Sequence, residues 1–158
     1  MTKARKKQQI LYKAVYVDYE KDPLPSRSAS GRFHDAASGP VTSYLTDKRK
    51  TAWKEVKFRW KADPASYRMA EVAVRLNKLI DLTDGKMQEK YGVNQEMLIA
   101  DDYRLTQRVA HRLRAEGVEA FWSYSRADQP DGRALVVFLE NLAPGSYVRV
   151  RRMRPIQE

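Results

Sequence analysis

Cysteine is absent from all 158 residues. That excludes a disulfide framework, a thiolate metal site and a thiol nucleophile, and it suits a reducing compartment, so the cytoplasm is the expected location. No apolar run approaches the roughly 18 residues needed to span a bilayer, and no membrane association is expected. The basic start MTKARKKQQ leads into ILYKAVYVDYE, which is interrupted by charge and lacks the apolar stretch of a signal peptide. Histidine occurs twice, as His34 and His111, in unrelated contexts and without an HExxH pattern, so no metal centre is expected. There is no internal repeat and no Gly-rich dinucleotide fingerprint. The stretch GRFHDAASG lacks the Gly-Lys-Ser/Thr ending of a phosphate loop. No Gly-x-Ser-x-Gly elbow exposes Ser125 for a Ser-His-Asp hydrolase.

The chain that remains is 42% hydrophobic and 32% charged, which offsets the entropy of folding and leaves a charged surface on one domain. The formal charge is +10. Lys3, Arg5, Lys6 and Lys7 contribute four positive charges at one end, and Arg149, Arg151, Arg152 and Arg154 contribute four at the other, leaving a nearly balanced body. Residues 1–9 therefore read as a basic N-terminal tail. Charge placed this way is a solvated tail or a nucleic-acid contact. Arg149 and Arg151 also alternate with Val148 and Val150, as the wet face of a last strand does.

Leu11–Tyr19 reads as an opening strand, and DPLPSRSASGRFHDAASGP as a long loop of the length that often carries function. VTSYLT is a short strand followed by a helix, with Thr46 or Asp47 as the N-cap and Ala52, Trp53, Val56 and Trp60 on one face. MAEVAVRLNKLIDLTD fits a helix or a strand, and strand is preferred. Asp102 to Glu116 is a helix, with Leu105, Val109 and Leu113 four apart and Gly117 ending it. VEAFWSYS, RALVVFLEN and SYVRVRRM read as closing strands in a hairpin-like run. This mixed order predicts a single α+β domain rather than a doubly wound parallel sheet.

A dispersed set of residues stands out: Lys13, Arg32, Tyr44, Glu55 and Ser125, with Arg126 beside the last. Each also has a plain structural role open to it. Arg32 can tether its loop, Tyr44 can pack in the core, Glu55 can pair with a lysine on a wet helix face, and Ser125 can cap a turn.

Four stretches bring these residues together in one pattern. They are LYKAVYV, GRFHDAASGPVTSYLTDKRKTAWKEV, KLIDLTD, and DDYRLTQRVAHRLRAEGVEAFWSYSRADQPDGRALVVFLEN. In order and wording they resemble the RES domain, named for conserved Arg, Glu and Ser residues, and the domain is expected over residues 10–154. The resemblance implies a fold like that of ADP-ribosyltransferase toxins, a mixed sheet with flanking helices. It implies a toxin that degrades NAD by phosphorolysis, with inorganic phosphate as co-substrate, or by hydrolysis. It implies an Xre-type antitoxin partner, and DNA only indirectly through that antitoxin. Transfer of ADP-ribose to a specific protein is the alternative within the family, and a basic nucleic-acid-binding module is the alternative outside it.

The same resemblance implies roles for the dispersed residues. Glu55 is the catalytic carboxylate, Arg32 and Lys13 hold the pyrophosphate, and Tyr44 orients nicotinamide or ribose. Ser125 and Arg126 bind a phosphate or ribose oxygen. The chain departs from the pattern at Lys13, where the family carries arginine. Lysine keeps the charge but lacks the planar fork that grips phosphate oxygens at two points.

Overall fold

The computed structural model describes residues 7–28, 30–38 and 42–157. Lys3, Arg5 and Lys6 of the basic tail, and Val41 of the second expected strand, lie outside the described residues. Seven strands form one mixed sheet: β1 (Gln9–Tyr16), β2 (Thr42–Thr46), β3 (Tyr67–Arg75), β4 (Leu79–Asp81), β5 (Ala120–Tyr124), β6 (Arg133–Phe138) and β7 (Tyr147–Pro155). Their order across the sheet is β4-β5-β6-β2-β1-β3-β7, antiparallel throughout except for the β4–β5 pair. The helices are α1 (Arg49–Trp60), α2 (Gly85–Tyr91), α3 (Gln95–Leu98) and α4 (Arg104–Ala115). The α+β architecture expected from the sequence is the one observed.

One face of the β4–β2 half packs Phe121, Val136 and Phe138 against Val109, Ala110 and Leu113 of α4 and Leu98 of α3. The opposite face buries Leu45, Trp122, Leu135 and Val137 with Leu11, Val72 and Val74. Strand alternation separates the two sets, since neighbouring residues of β5 and β6 point to opposite sides. α4 ends as its sequence requires. Gly117 takes a φ of 76°, its N–H bonds to the Arg114 carbonyl and the Val118 N–H to the Leu113 carbonyl, with Leu113 and Val118 both buried.

The structure corrects several sequence expectations. The first strand stops at Tyr16, and a single 3₁₀ turn covers Val17–Tyr19. Neither Thr46 nor Asp47 caps α1. The N-cap is Lys48 without a side-chain cap, and the Thr46 hydroxyl donates to the Lys48 carbonyl. Trp60 does not share the buried face of Ala52 and Trp53 but is 59% exposed at the helix end. The ambiguous segment is extended, as preferred, but forms two strands that lie in opposite halves of the sheet. β5 and β6 form the expected hairpin, whereas β7 crosses to the far edge and pairs with β3. A register shift between Glu71 and Val72 leaves Arg151 as an extra residue, which breaks the simple alternation read into RVRRM.

The crossing segments are fixed by Glu119, only 1% exposed. Its carboxylate accepts from the Asn77 and Lys78 amides at 2.6 and 2.8 Å and from the Ala143 amide at 2.7 Å. Burial alone would raise its pKa, but the amide donors outweigh burial and hold it below the usual carboxylate value. Glu119→Gln removes the charge and turns an NH₂ toward amide donors. The variant should lose about 1–3 kcal/mol of stability at pH 7 by urea denaturation. Because the native pKa is depressed, the deficit should shrink as pH falls through it.

Candidate active site

β1 and β2 meet through a single register pair, Tyr12 with Thr46, whereas β1 and β3 pair along eight positions. A cleft of about 640 Å³ is lined from β1, β2, α1, the loop after β1 and the loop after β5. That volume falls in the range of small-molecule sites. Lys13, Arg32, Tyr44, Glu55, Ser125 and Arg126, singled out in the sequence, all line it.

Glu55 lies on α1, one turn beyond the buried Thr51 and Ala52, so its side chain faces the sheet rather than the wet side of the helix. The pairing with a surface lysine, which the sequence left open, is not what forms. Its carboxylate accepts a hydrogen bond from the Ser125 hydroxyl at 2.9 Å. Burial pushes the pKa of Glu55 up to about 7, while the Ser125 hydrogen bond and the charges of Lys13 and Arg32 act to lower it. The group is therefore balanced between its two protonation states near neutrality.

Ser125 is held in turn by Asp128, whose backbone N–H donates to the Ser125 carbonyl at 3.3 Å. The Asp128 carboxylate accepts from the Thr51 hydroxyl at 2.7 Å and from Lys54 Nζ at 3.0 Å, both on α1. The Thr51 hydrogen bond is the main cause of its lowered pKa. Gly132 permits the tight return of this loop, because a Cβ there would sit 2.4 Å from the Asp128 carbonyl oxygen. The loop after β5 is thus clamped to the helix that carries Glu55.

The opposite wall is built around Gly31 and His34, whose backbones bridge with a 2.8 Å bond from the Gly31 N–H to the His34 carbonyl. Gln107 Nε2 of α4 donates to the Gly31 and His34 carbonyls at 2.9 and 3.1 Å, and so fixes the turn. His34 is buried, with Nε2 2.8 Å from the Ser28 carbonyl and Nδ1 2.6 Å from the Tyr44 hydroxyl. A carbonyl can only accept, so the proton belongs on Nε2, and Nδ1 then accepts from Tyr44. Burial lowers the His34 pKa, which keeps the ring neutral for that arrangement. The Tyr44 oxygen also accepts from the Phe33 N–H at 3.1 Å, and burial raises its pKa. His34 is a positioning residue, a role that its sequence context did not reveal.

Arg32 tethers its loop, the plainer of its two sequence readings. Nη1 donates to the carbonyls of Leu98, at 3.3 Å, and Ala100, and the guanidinium lies over the Tyr103 ring at 4.6 Å. Lys13 Nζ donates to the Leu24 carbonyl at 2.7 Å. Burial, reinforced by the like charge of Arg27, lowers the Lys13 pKa to about 8. Arg126 lies 3.7 Å from the exposed carboxylate of Asp101. His111 pairs with Asp35 at 2.8 Å on the outside of α4. Among the described residues, no group of three or more His, Asp or Glu is placed to hold a metal ion.

A model of the RES domain matches residues 10–155, nearly the whole chain. The chain belongs to the RES-domain family. A curated relative from Mycobacterium tuberculosis H37Rv, described as a probable NAD(+) phosphorylase, is 35% identical over 86 residues. That stretch takes in 51% of this chain and 40% of the relative, so the match spans less than half of the relative's length. The fold is that of a chain in the crystal structure of the M. tuberculosis MbcT–MbcA toxin–antitoxin complex. The TM-score is 0.76 at 19% identity, covering 97% of this chain and 86% of the other.

Because the native pKa of Glu55 stands above its ordinary value, its ionisation weakens the folded state, and the loss builds between pH 4.5 and about 7. Glu55→Gln, which cannot ionise, should match the wild type in stability below that interval. Above it the variant should be more stable by about 3 kcal/mol. Paired urea titrations across the interval measure this difference directly. In Gly31→Ala the new Cβ would fall 2.5 Å from His34 Cε1, so His34 must leave Tyr44. We expect that variant to lose about 1–3 kcal/mol in the same assay.

Proposed function

We propose that this RES-domain protein is a toxin that destroys NAD by cleaving its nicotinamide–ribose bond. The observation that carries the reading is the Glu55 carboxylate, drawn out of water and fixed by Ser125 inside a cleft of small-molecule size. The described relative, a probable NAD(+) phosphorylase, supports the same substrate.

When the bond from ribose C1′ to the nicotinamide nitrogen breaks, both electrons leave with nicotinamide, which departs neutral. Positive charge develops on the ribose, as in glycoside cleavage. An ionised Glu55 stabilises that charge or accepts from a ribose hydroxyl, and in a dry site a preorganised group of this kind contributes several kcal/mol. The Ser125 hydroxyl holds the carboxylate in one orientation. Tyr44, its hydroxyl engaged by His34 and Phe33, presents its ring to nicotinamide or ribose. Lys13 and Arg32 supply positive charge toward the pyrophosphate, and Arg126 with Ser125 faces a phosphate or ribose oxygen.

Inorganic phosphate is the acceptor we favour. It attacks C1′ with its own electron pair and yields ADP-ribose 1″-phosphate, with no strong base required. Water in its place yields ADP-ribose and a proton, and a protein side chain yields ADP-ribosylated protein. No step calls for a metal ion. An enzyme that consumes NAD needs restraint in the cell that makes it, and the structural likeness to one chain of a toxin–antitoxin complex supports an antitoxin partner. We take that partner to be of the Xre type, with DNA reached only through it, and the site of action to be the cytoplasm.

NAD loss followed with and without phosphate tests the reading. Wild type should consume NAD, phosphate should accelerate the loss, and Glu55→Gln should be slower by roughly 10²–10³-fold. Undiminished activity in Glu55→Gln would contradict it. The pH profile of kcat/KM should be bell-shaped, rising as Glu55 ionises near 7 and falling as Lys13 loses its charge near 8.

A further inference from the structure

Three arginines stand at the mouth of the cleft, each over an aromatic ring. Arg27 lies 4.6 Å from the Tyr19 ring centroid, Arg59 lies 5.0 Å from Trp60, and Arg126 lies 5.6 Å from Phe58. All six side chains line the cleft, and they come from the loop after β1, the end of α1 and the loop after β5. The rings are exposed: Tyr19 by 41%, Trp60 by 59% and Phe58 by 62%. Large aromatic surface collected at one opening marks a place that gains by being covered.

The rim acts on the interior. The charge of Arg27 is felt by Lys13, that of Arg126 by Arg32, and that of Arg59 by Tyr44 and His34. Inside the cleft, Lys13 Nζ and Arg32 Nη1 already bond to backbone carbonyls. Two of the rim arginines meet exposed carboxylates. Arg27 donates to the Asp22 carbonyl and lies 3.4 Å from the Asp22 carboxylate, and Arg126 is 3.7 Å from Asp101, both carboxylates being largely exposed. Exposed pairs of this kind contribute little and give way readily to a better anion.

A dinucleotide with its nicotinamide riboside at Glu55 must place its pyrophosphate and adenosine farther out. Planar guanidinium groups match phosphate oxygens at two points. Exposed aromatic rings offer a face on which a base stacks. We propose that the pairs Arg27–Tyr19, Arg59–Trp60 and Arg126–Phe58 form the subsite for the ADP half of the substrate. In it the arginines grip the outer side of the pyrophosphate, beyond the charge that Lys13 and Arg32 supply from within, and one of the rings stacks on adenine. The assignment rests on the NAD-cleaving reading of Glu55, and it makes the rim the determinant of KM for a dinucleotide.

ADP carries this half of the substrate and none of the scissile bond, so it probes the subsite apart from the chemistry. Calorimetric titration of ADP into the wild type should show binding. Arg59→Ala/Arg126→Ala should bind it roughly tenfold more weakly or worse, through loss of charge-assisted hydrogen bonds, and Trp60→Ala should also weaken it. These side chains sit at the surface, and melting curves close to wild type should accompany the loss. For NAD, kcat/KM of the double variant should fall mainly through KM. For nicotinamide riboside, which has no ADP half, it should fall far less. No ADP binding by the wild type, equal ADP affinity in wild type and double variant, or equal losses for the two substrates would overturn the subsite. ADP binding that depends on the arginines in a protein that leaves NAD intact would support the subsite and overturn the cleavage reading.

Discussion

A carboxylate taken out of water costs several kcal/mol unless neighbouring groups compensate for its lost hydration, and α1 turns one inward at Glu55. The compensation is incomplete by design of the site. Ser125 gives one hydrogen bond, Lys13 and Arg32 give charge at longer range, and burial still prevails, leaving the group poised near neutrality. A better solvated Glu55 would sit at its ordinary value and hold its charge with less force on a substrate. Much of the architecture serves this balance. Asp128 ties the loop after β5 to Thr51 and Lys54, so the helix that carries the carboxylate also fixes the serine that orients it.

The second wall of the cleft obeys a different constraint. A turn at Gly31 brings its backbone so close to His34 that no side chain fits at that position. The close approach lets a neutral imidazole connect the Ser28 carbonyl to the Tyr44 hydroxyl. Thr106 and Gln107 at the start of α4 bond to the carbonyls of Arg32, Gly31 and His34, which attaches this turn to the best-formed helix in the chain. The cleft lies between these two walls, where β1 and β2 meet at one register pair among the described residues. Two local clamps on one sheet thus hold the site.

What the sequence made legible was local. The spacing of Leu105, Val109 and Leu113 with Gly117 defined α4, and short apolar runs bounded by turn residues identified β2, β5 and β6. The short helices α2 and α3 were not anticipated, although Asp84 and Asn94 cap them and Gly92 ends the first. Their apolar residues, Tyr91 and Leu98, show no period until the rest of the core is in place. The site residues Glu55, Ser125, Arg32 and Tyr44 came from a pattern of wording rather than from any one motif. Asp128 and Glu119 were not recognised, because their partners lie far along the chain, and the role of His34 shows only once the turn at Gly31 sets its ring between Ser28 and Tyr44. Asp128 meets Thr51 77 positions away, and Glu119 meets Asn77 42 positions away. Trp60 was misassigned for the opposite reason: its helical spacing was apolar, but the helix ends at the cleft mouth, where that face has no sheet to cover.

Burial holds Glu55 between two protonation states near neutral pH while Ser125 orients it. An NMR titration of the Glu55 carboxyl carbon, in protein labelled at glutamate and assigned by comparison with Glu55→Gln, tests this directly. The midpoint should fall near 7, well above that of surface glutamates, and move higher still in Ser125→Ala as the hydrogen bond to the charged form is lost. A midpoint near 4.5 would instead show a solvated carboxylate that burial does not perturb.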